Sequence, residues 1–227
     1  MIVLMSAFLL LSAFSCGGGN KANSTSEQSE ETAVNVPQFD ADSAYLYVKN
    51  QVDFGPRVPN TKEHVACGNY LAGQLEAFGA QVTNQYADLI AYDGTLLKAR
   101  NIIGSYKPES KKRIALFAHW DTRPWADNDP DEKNHKTPIL GANDGASGVG
   151  ALLEIARLVN QQQPELGIDI ILLDAEDYGA PQFYTGKHKE EFWCLGSQYW
   201  ARNPHVQGYN ARFGILLDMV GLSLIHI

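Results

Sequence analysis

The sequence predicts an α/β protein, a three-layer α/β/α sandwich around a mixed, largely parallel central sheet. Two runs, Ile114–Ala118, continuously apolar, and Ile168–Leu173, apolar but for Asp169, have the length of strands buried on both faces. Stretches with helical spacing lie between and around them, so strands and helices alternate. The runs also end in charge: His119-Trp-Asp121 follows the first, Asp174-Ala-Glu-Asp177 the second, and Asp218 closes a later run from Phe213. Binding sites of α/β proteins gather at strand ends. Acidic corners on several strand ends predict one metal site.

The chain has 227 residues, 44% hydrophobic and 19% charged, which suits one larger domain. Its formal charge of −8 excludes nucleic acid as a partner, because phosphate binding needs a basic surface. Residues 2–14 are almost wholly apolar, too short to span a bilayer but right for a signal-peptide core. The run ends in small residues before Cys16 and resembles a bacterial lipobox. Residues 1–16 therefore read as a lipoprotein signal peptide with lipidation at Cys16, an ordinary secretory signal being the alternative. Residues 17–38 are polar and low in apolar content, a disordered tether. Export to the periplasm or a membrane-tethered state follows, with membrane contact only through the lipid. Export permits a disulfide between Cys67 and Cys194, and buried free thiols fit equally well.

The catalytic domain is expected over residues 39–221. Ala44, Tyr45 and Val48 fall at helical spacing, and Gly55-Pro-Arg-Val-Pro59 ends that helix. Asn60-Thr-Lys-Glu63 predicts a capping box for a helix that buries Val65, Leu71, Leu75 and Phe78 before Gly79. Strand-like runs at Gln81–Ile90 and Leu96–Tyr106 flank Tyr92-Asp-Gly94, a hairpin signal. A helix over Ala146–Asn160 follows a Gly-rich turn, and residues 178–192 read as a loop before a short helix at 195–201. The hexapeptide Leu222–Ile227 reads as a non-native tail, like one frame of a sequencing adapter. On that reading the natural domain continues past Gly221, the domain here is incomplete, and His226 has no role.

Each motif alone has a bland account. His119-x-Asp121 can ligate metal or let the carboxylate orient the imidazole, and can equally be a hydrogen-bonded pair. Asp144, in a turn with Gly141, Gly145 and Gly148, can be a ligand or merely cap the following helix. Glu176 and Asp177 suit a division of labour in which one carboxylate binds metal and its neighbour moves protons, although adjacent loop acids are usually solvated. Asp127-Asn-Asp-Pro-Asp131 fails as a calcium loop, since Glu132 stands at the turn-glycine position and Pro138 at the bidentate-Glu position. It reads better as a charged loop near the site. Trp120, Trp125, Trp193 and Trp200 fall near these corners; Trp193 is the preferred pocket residue and Trp200 reads as core.

The order His119-x-Asp121, Asp144, Glu176-Asp177, Asp218 resembles the zinc aminopeptidases of metallopeptidase family 28 and the glutaminyl cyclases built on the same fold. His119-Trp-Asp-Thr-Arg-Pro-Trp-Ala-Asp-Asn128, Asp174-Ala-Glu-Asp-Tyr-Gly179 and Trp193-Cys-Leu-Gly-Ser197 look more like the bacterial cyclases. The resemblance implies one zinc ion bound by Asp144 and Asp177, a position usually Glu, with Glu176 as general acid and base. Asp218 would steady the proton network, while His119, Asp121 and Trp193 would line the pocket or support the ligands. The family's remaining ligand, a late His, has no counterpart here. The implied activity is glutaminyl-peptide cyclotransferase, acting on peptide and protein N-termini. The alternative is a zinc aminopeptidase holding two ions with His119, Asp144, Asp177 and Asp218. A third reading is a lipid-tethered binding protein that keeps the fold without the metal.

Overall fold

A computed structural model describes residues 35–187 and 189–221. The expected signal peptide, Cys16, most of the tether and the tail at 222–227 lie outside the described residues. Four helices, α1 (Ala41–Val52), α2 (Lys62–Ala77), α3 (Ala146–Gln161) and α4 (Leu195–Arg202), accompany five strands among the described residues. The strands are β1 (Gln81–Ile90), β2 (Leu96–Tyr106), β3 (Arg113–His119), β4 (Gly167–Leu173) and β5 (Gly214–Leu216).

They form one mixed sheet in the order β1-β2-β4-β3-β5. β1 pairs antiparallel with β2 around the Tyr92-Asp-Gly94 turn, where Gly94 takes a φ of 85°. β2 pairs antiparallel with β4. β3, by contrast, runs parallel to both β4 and β5, so parallel pairing is confined to these three strands. Register His119↔Leu173 and Phe117↔Leu216 brings the C-terminal ends of all three to one edge. The acids and His119 fall at that edge.

Strand residues alternate between two cores, as their period of two requires. Ile102, Leu116, Ala118, Ile170 and Leu172 pack under Leu71 and Leu75 of α2 and Val149, Leu152 and Leu153 of α3. Each fully buried aliphatic side chain contributes about 1.5–3 kcal/mol, so this layer dominates the stability. Ile103, Ala115, Ile171 and Leu173 face the other way, where Trp200 of α4 and Tyr209 cover them. Helices on both faces give the expected three layers.

Local details differ from the pattern reading. Asp40 caps α1, accepting from the amides of Asp42 and Ser43, but Tyr45 is 71% exposed while Val48 packs toward α3. In α2 the buried face runs through His64, Gly68, Leu71 and Leu75, which rotates Val65 to solvent. Thr61, not Asn60, is the cap, its hydroxyl accepting the amide of His64. Cys67 and Cys194 are both free thiols.

Candidate metal centre

The site is assembled from four corners. β3 delivers His119 and, two residues on, Asp121, both almost fully buried. The Gly-rich turn delivers Asp144, β4 delivers Glu176 and Asp177, and Asp218 lies just past β5.

Asp144 is not a helix cap. Gly145 occupies the cap position with a φ of 92° and no side-chain cap bond forms. The Asp144 carboxylate instead lies 2.9 Å from His119 Nε2. The glycines permit this approach: a Cβ on Gly145 would strike the Asp121 carbonyl, and one on Gly148 the Leu217 carbonyl. Arg57 fixes the turn from beneath, donating from Nε to the Trp120 carbonyl at 3.1 Å and from Nη2 to the Gly141 carbonyl at 2.7 Å.

His119 Nε2, Asp144 and Asp177 offer ligand atoms within 4.8 Å of one another. Asp218 lies 3.6 Å from the same nitrogen. His119 Nδ1 is 3.5 Å from Asp121 Oδ1 without an aligned hydrogen bond, so that attraction acts through space. Burial opposes a charge on His119, but Asp121, Asp144 and Glu176 outweigh it and push its pKa up to about 12. His119 in turn holds the Asp144 carboxyl below its usual range. Asp177 is pushed up to about 8, first by burial and then by Asp121, with Asp144 and Glu176 adding to it. Glu176 is also raised, by burial foremost and by the Asp121, Asp218 and Asp144 carboxylates, while His119 pulls the other way. Packed acids that raise one another's pKa are the environment a divalent cation relieves. Asp177 Oδ2 is buried and has no hydrogen-bond partner among the described residues, an orphan a cation would satisfy. The donor set of one imidazole and two carboxylates fits zinc.

Asp121 does not line a pocket. Fully buried, its Oδ1 accepts from the amide of Glu176 at 3.1 Å and its Oδ2 from that of Asp177 at 3.2 Å. Asp174 performs a similar task one residue earlier, accepting from the amides of Ala175 and Arg100 and pairing with His64 Nε2 at 2.8 Å. These contacts hold Ala175 at a φ of 52°, a left-handed kink that turns the acids toward the strand edge.

Trp193 is half-buried against the backbone of Gly179, where any Cβ would overlap its indole. Trp125 joins Tyr92, Tyr178 and Phe183 in an aromatic cluster beside it. Trp200 packs on Phe117 in the core, as expected. Trp120 is a correction to the pocket reading: it is fully buried and stacks on His64 at 4.3 Å. Arg57, His64 and the structural parts of Asp127 and Asp174 escape the sequence reading; a buried Arg between Pro56 and Pro59 leaves no periodic signal. A cavity of about 460 Å³ near Arg113, His205 and Tyr209 lies at the other end of β3, away from these residues.

The fold and this corner together define an α/β protein of the zinc-exopeptidase type. The chain belongs to peptidase family M28, whose sequence pattern matches residues 101–224. A crystal structure of Bacteroides thetaiotaomicron glutaminyl cyclase bound to N-acetylhistamine is 95% identical, with a TM-score of 0.81, over 82% of this chain and 64% of its own. A Zn-dependent exopeptidase from Parabacteroides distasonis is 64% identical, with a TM-score of 0.80, over 82% of this chain and 63% of its own. The glutaminyl-peptide cyclotransferase of Drosophila melanogaster is 24% identical over 189 residues, 78% of this chain and 48% of that protein. The chain thus spans less than two thirds of the length of these relatives.

Proposed function

We propose that the protein is a glutaminyl-peptide cyclotransferase, converting the N-terminal glutamine of peptides and proteins to pyroglutamate with release of ammonia. The observation that carries this reading is the 95% identity to a glutaminyl cyclase over most of the chain.

One zinc ion is proposed, held by Asp144 and Asp177, and the chemistry it supplies is Lewis acidity toward a carbonyl. Glu176 takes a proton from the substrate α-amine as that nitrogen bonds to Cδ, the carbonyl carbon of the glutamine side-chain amide. The carbon–nitrogen bond of the side-chain amide then breaks, and Glu176 returns the proton so that ammonia leaves. The raised pKa of Glu176 suits a group that must accept this proton. Asp218, close to His119, steadies the proton network. Trp193 packs on the substrate, and holding amine and amide together supplies much of the rate.

The aminopeptidase reading, with two ions, has its own support: His119 belongs to the ligand cluster, and the Parabacteroides relative is described as a Zn-dependent exopeptidase. A peptide beginning with glutamine separates the two. Ammonia release with an otherwise intact peptide and one zinc per chain supports the cyclase; a freed first amino acid without ammonia, and two zinc ions, supports the peptidase. The protein is further proposed to be an exported lipoprotein, and labelled palmitate should enter the wild type but not Cys16→Ser.

A further inference from the structure

Arg123 belongs to the His119–Asn128 stretch that looks like the bacterial cyclases, and the reaction proposed above gives it no role. Its surroundings are unusual for a surface arginine. The Asp127 carboxylate grips one edge of the guanidinium with two bonds, Nε to Oδ1 at 2.7 Å and Nη2 to Oδ2 at 2.6 Å. Nη1 donates to the Asp177 carbonyl at 3.0 Å and, more distantly, to the Gly179 carbonyl at 3.4 Å. The flat face lies over Trp193, 4.9 Å from the ring centre, within the range of a cation–π contact. Asp127 also accepts the amide of Gln182 at 2.9 Å, so the pair reaches into the loop that follows.

One planar cation therefore ties together three segments distant in sequence: its own loop, the turn that presents Asp177, and Trp193. The ring of Trp193 lies in the slot left by Gly179, whose carbonyl the same guanidinium holds. We propose that Arg123 is a positioning residue, locking the Asp177–Gly179 turn and the Trp193 ring into one rigid wall. It acts on metal affinity through Asp177 and on substrate affinity through Trp193 without touching either ligand.

A lysine cannot substitute, because a single ammonium lacks the planar fork needed to serve a bidentate carboxylate, a carbonyl and a stacked ring together. The inference rests on Asp177 as a metal ligand and Trp193 as a pocket wall, but not on which reaction the site performs. The test uses the full chain loaded with zinc and the variants Arg123→Lys, Arg123→Met and Asp127→Asn. Zinc affinity is read by chelator competition, and exposure of Trp193 by acrylamide quenching, taken as the difference from a Trp193→Phe partner. Arg123→Lys should weaken zinc binding roughly tenfold, as loss of groups supporting a ligand does, and should raise quenching of Trp193. KM for a glutamine-initiated peptide should rise more than kcat falls. Zinc affinity and Trp193 quenching like wild type in the variants that fold would overturn the proposal, as would a lowered Tm with both readouts unchanged. Asp127→Asn leaves Arg123 in place but loosens its grip, and should fall between wild type and Arg123→Lys. Absence of ammonia release in wild type would defeat the cyclase reading alone, since zinc affinity and quenching still judge Arg123.

Discussion

Asp121 Oδ1 accepts the backbone amide of Glu176 at 3.1 Å. The other oxygen takes the amide of Asp177 at 3.2 Å, so one buried carboxylate sets the orientation of both the proposed base and the proposed ligand. Replacing it by asparagine keeps the shape but turns an NH₂ group toward one of the two amides. Asp121→Asn should weaken zinc binding by about 10- to 100-fold, the usual consequence of losing a group that orients ligands. Competition against a chromogenic chelator measures this. Affinity within twofold of wild type would remove Asp121 from the architecture of the site.

In the proposed reaction Glu176 moves protons, and the side chains grouped closely enough to hold an ion, His119, Asp144 and Asp177, do not include it. Glu176→Gln preserves size and removes the base. Turnover should fall by roughly 10²- to 10⁴-fold, the contribution of a positioned acid or base, while chelator competition shows nearly unchanged metal affinity. A variant with wild-type turnover would take Glu176 out of the mechanism.

Much of this layout is legible in the sequence because its signals are local. β3 announces itself as a continuous apolar run and β4 as one interrupted only by Asp169, and the acids stand at their ends, where parallel strands converge. Asn60 shows where locality fails. It has the look of a cap, yet Thr61 takes that position, and Asn60 adopts a φ of 75°. Its side chain is occupied elsewhere, donating to the Leu96 carbonyl at 2.9 Å and accepting the Lys98 amide at 2.8 Å. Arg57 and His64 were missed for the same reason: their partners, Gly141 and Asp174, lie far along the chain. No period or spacing encodes such a pairing. Trp120 stands beside His119 in a charged corner, where an aromatic could line a pocket, whereas the alternation of β3 carried one residue past its end turns it inward onto His64.

The His64 and Asp174 pair is fully desolvated, with side chains 3% and 0% exposed. Burial drives the Asp174 pKa up, and His64 pulls it back. Removing the imidazole leaves a buried carboxylate without its partner, so His64→Ala should cost about 3–5 kcal/mol in urea unfolding. His64→Gln, which retains a donor, should recover part of that loss. A cost below about 1 kcal/mol for His64→Ala, the level of an average substitution, would show that the backbone amides of Ala175 and Arg100 suffice for Asp174.

Asp127 supplies a pH signature for the pair it forms with Arg123. Burial alone would raise its pKa, but Arg123 and the Gln182 amide more than offset this and hold it below the ordinary carboxylate range. A carboxyl whose pKa is lower folded than unfolded binds fewer protons in the native state. Its stabilisation is complete above the unfolded pKa of about 3.9 and is lost as pH falls through the depressed folded value. Other carboxylates titrate in the same range, so the informative quantity is the stability difference between wild type and Asp127→Asn. That difference should be constant from neutral pH to about pH 5 and shrink below about pH 4 as Asp127 protonates in the wild type. Urea midpoints at a series of pH values give it directly. A difference that stays constant to the lowest accessible pH would mean that the Asp127 charge contributes nothing to its bond with Arg123.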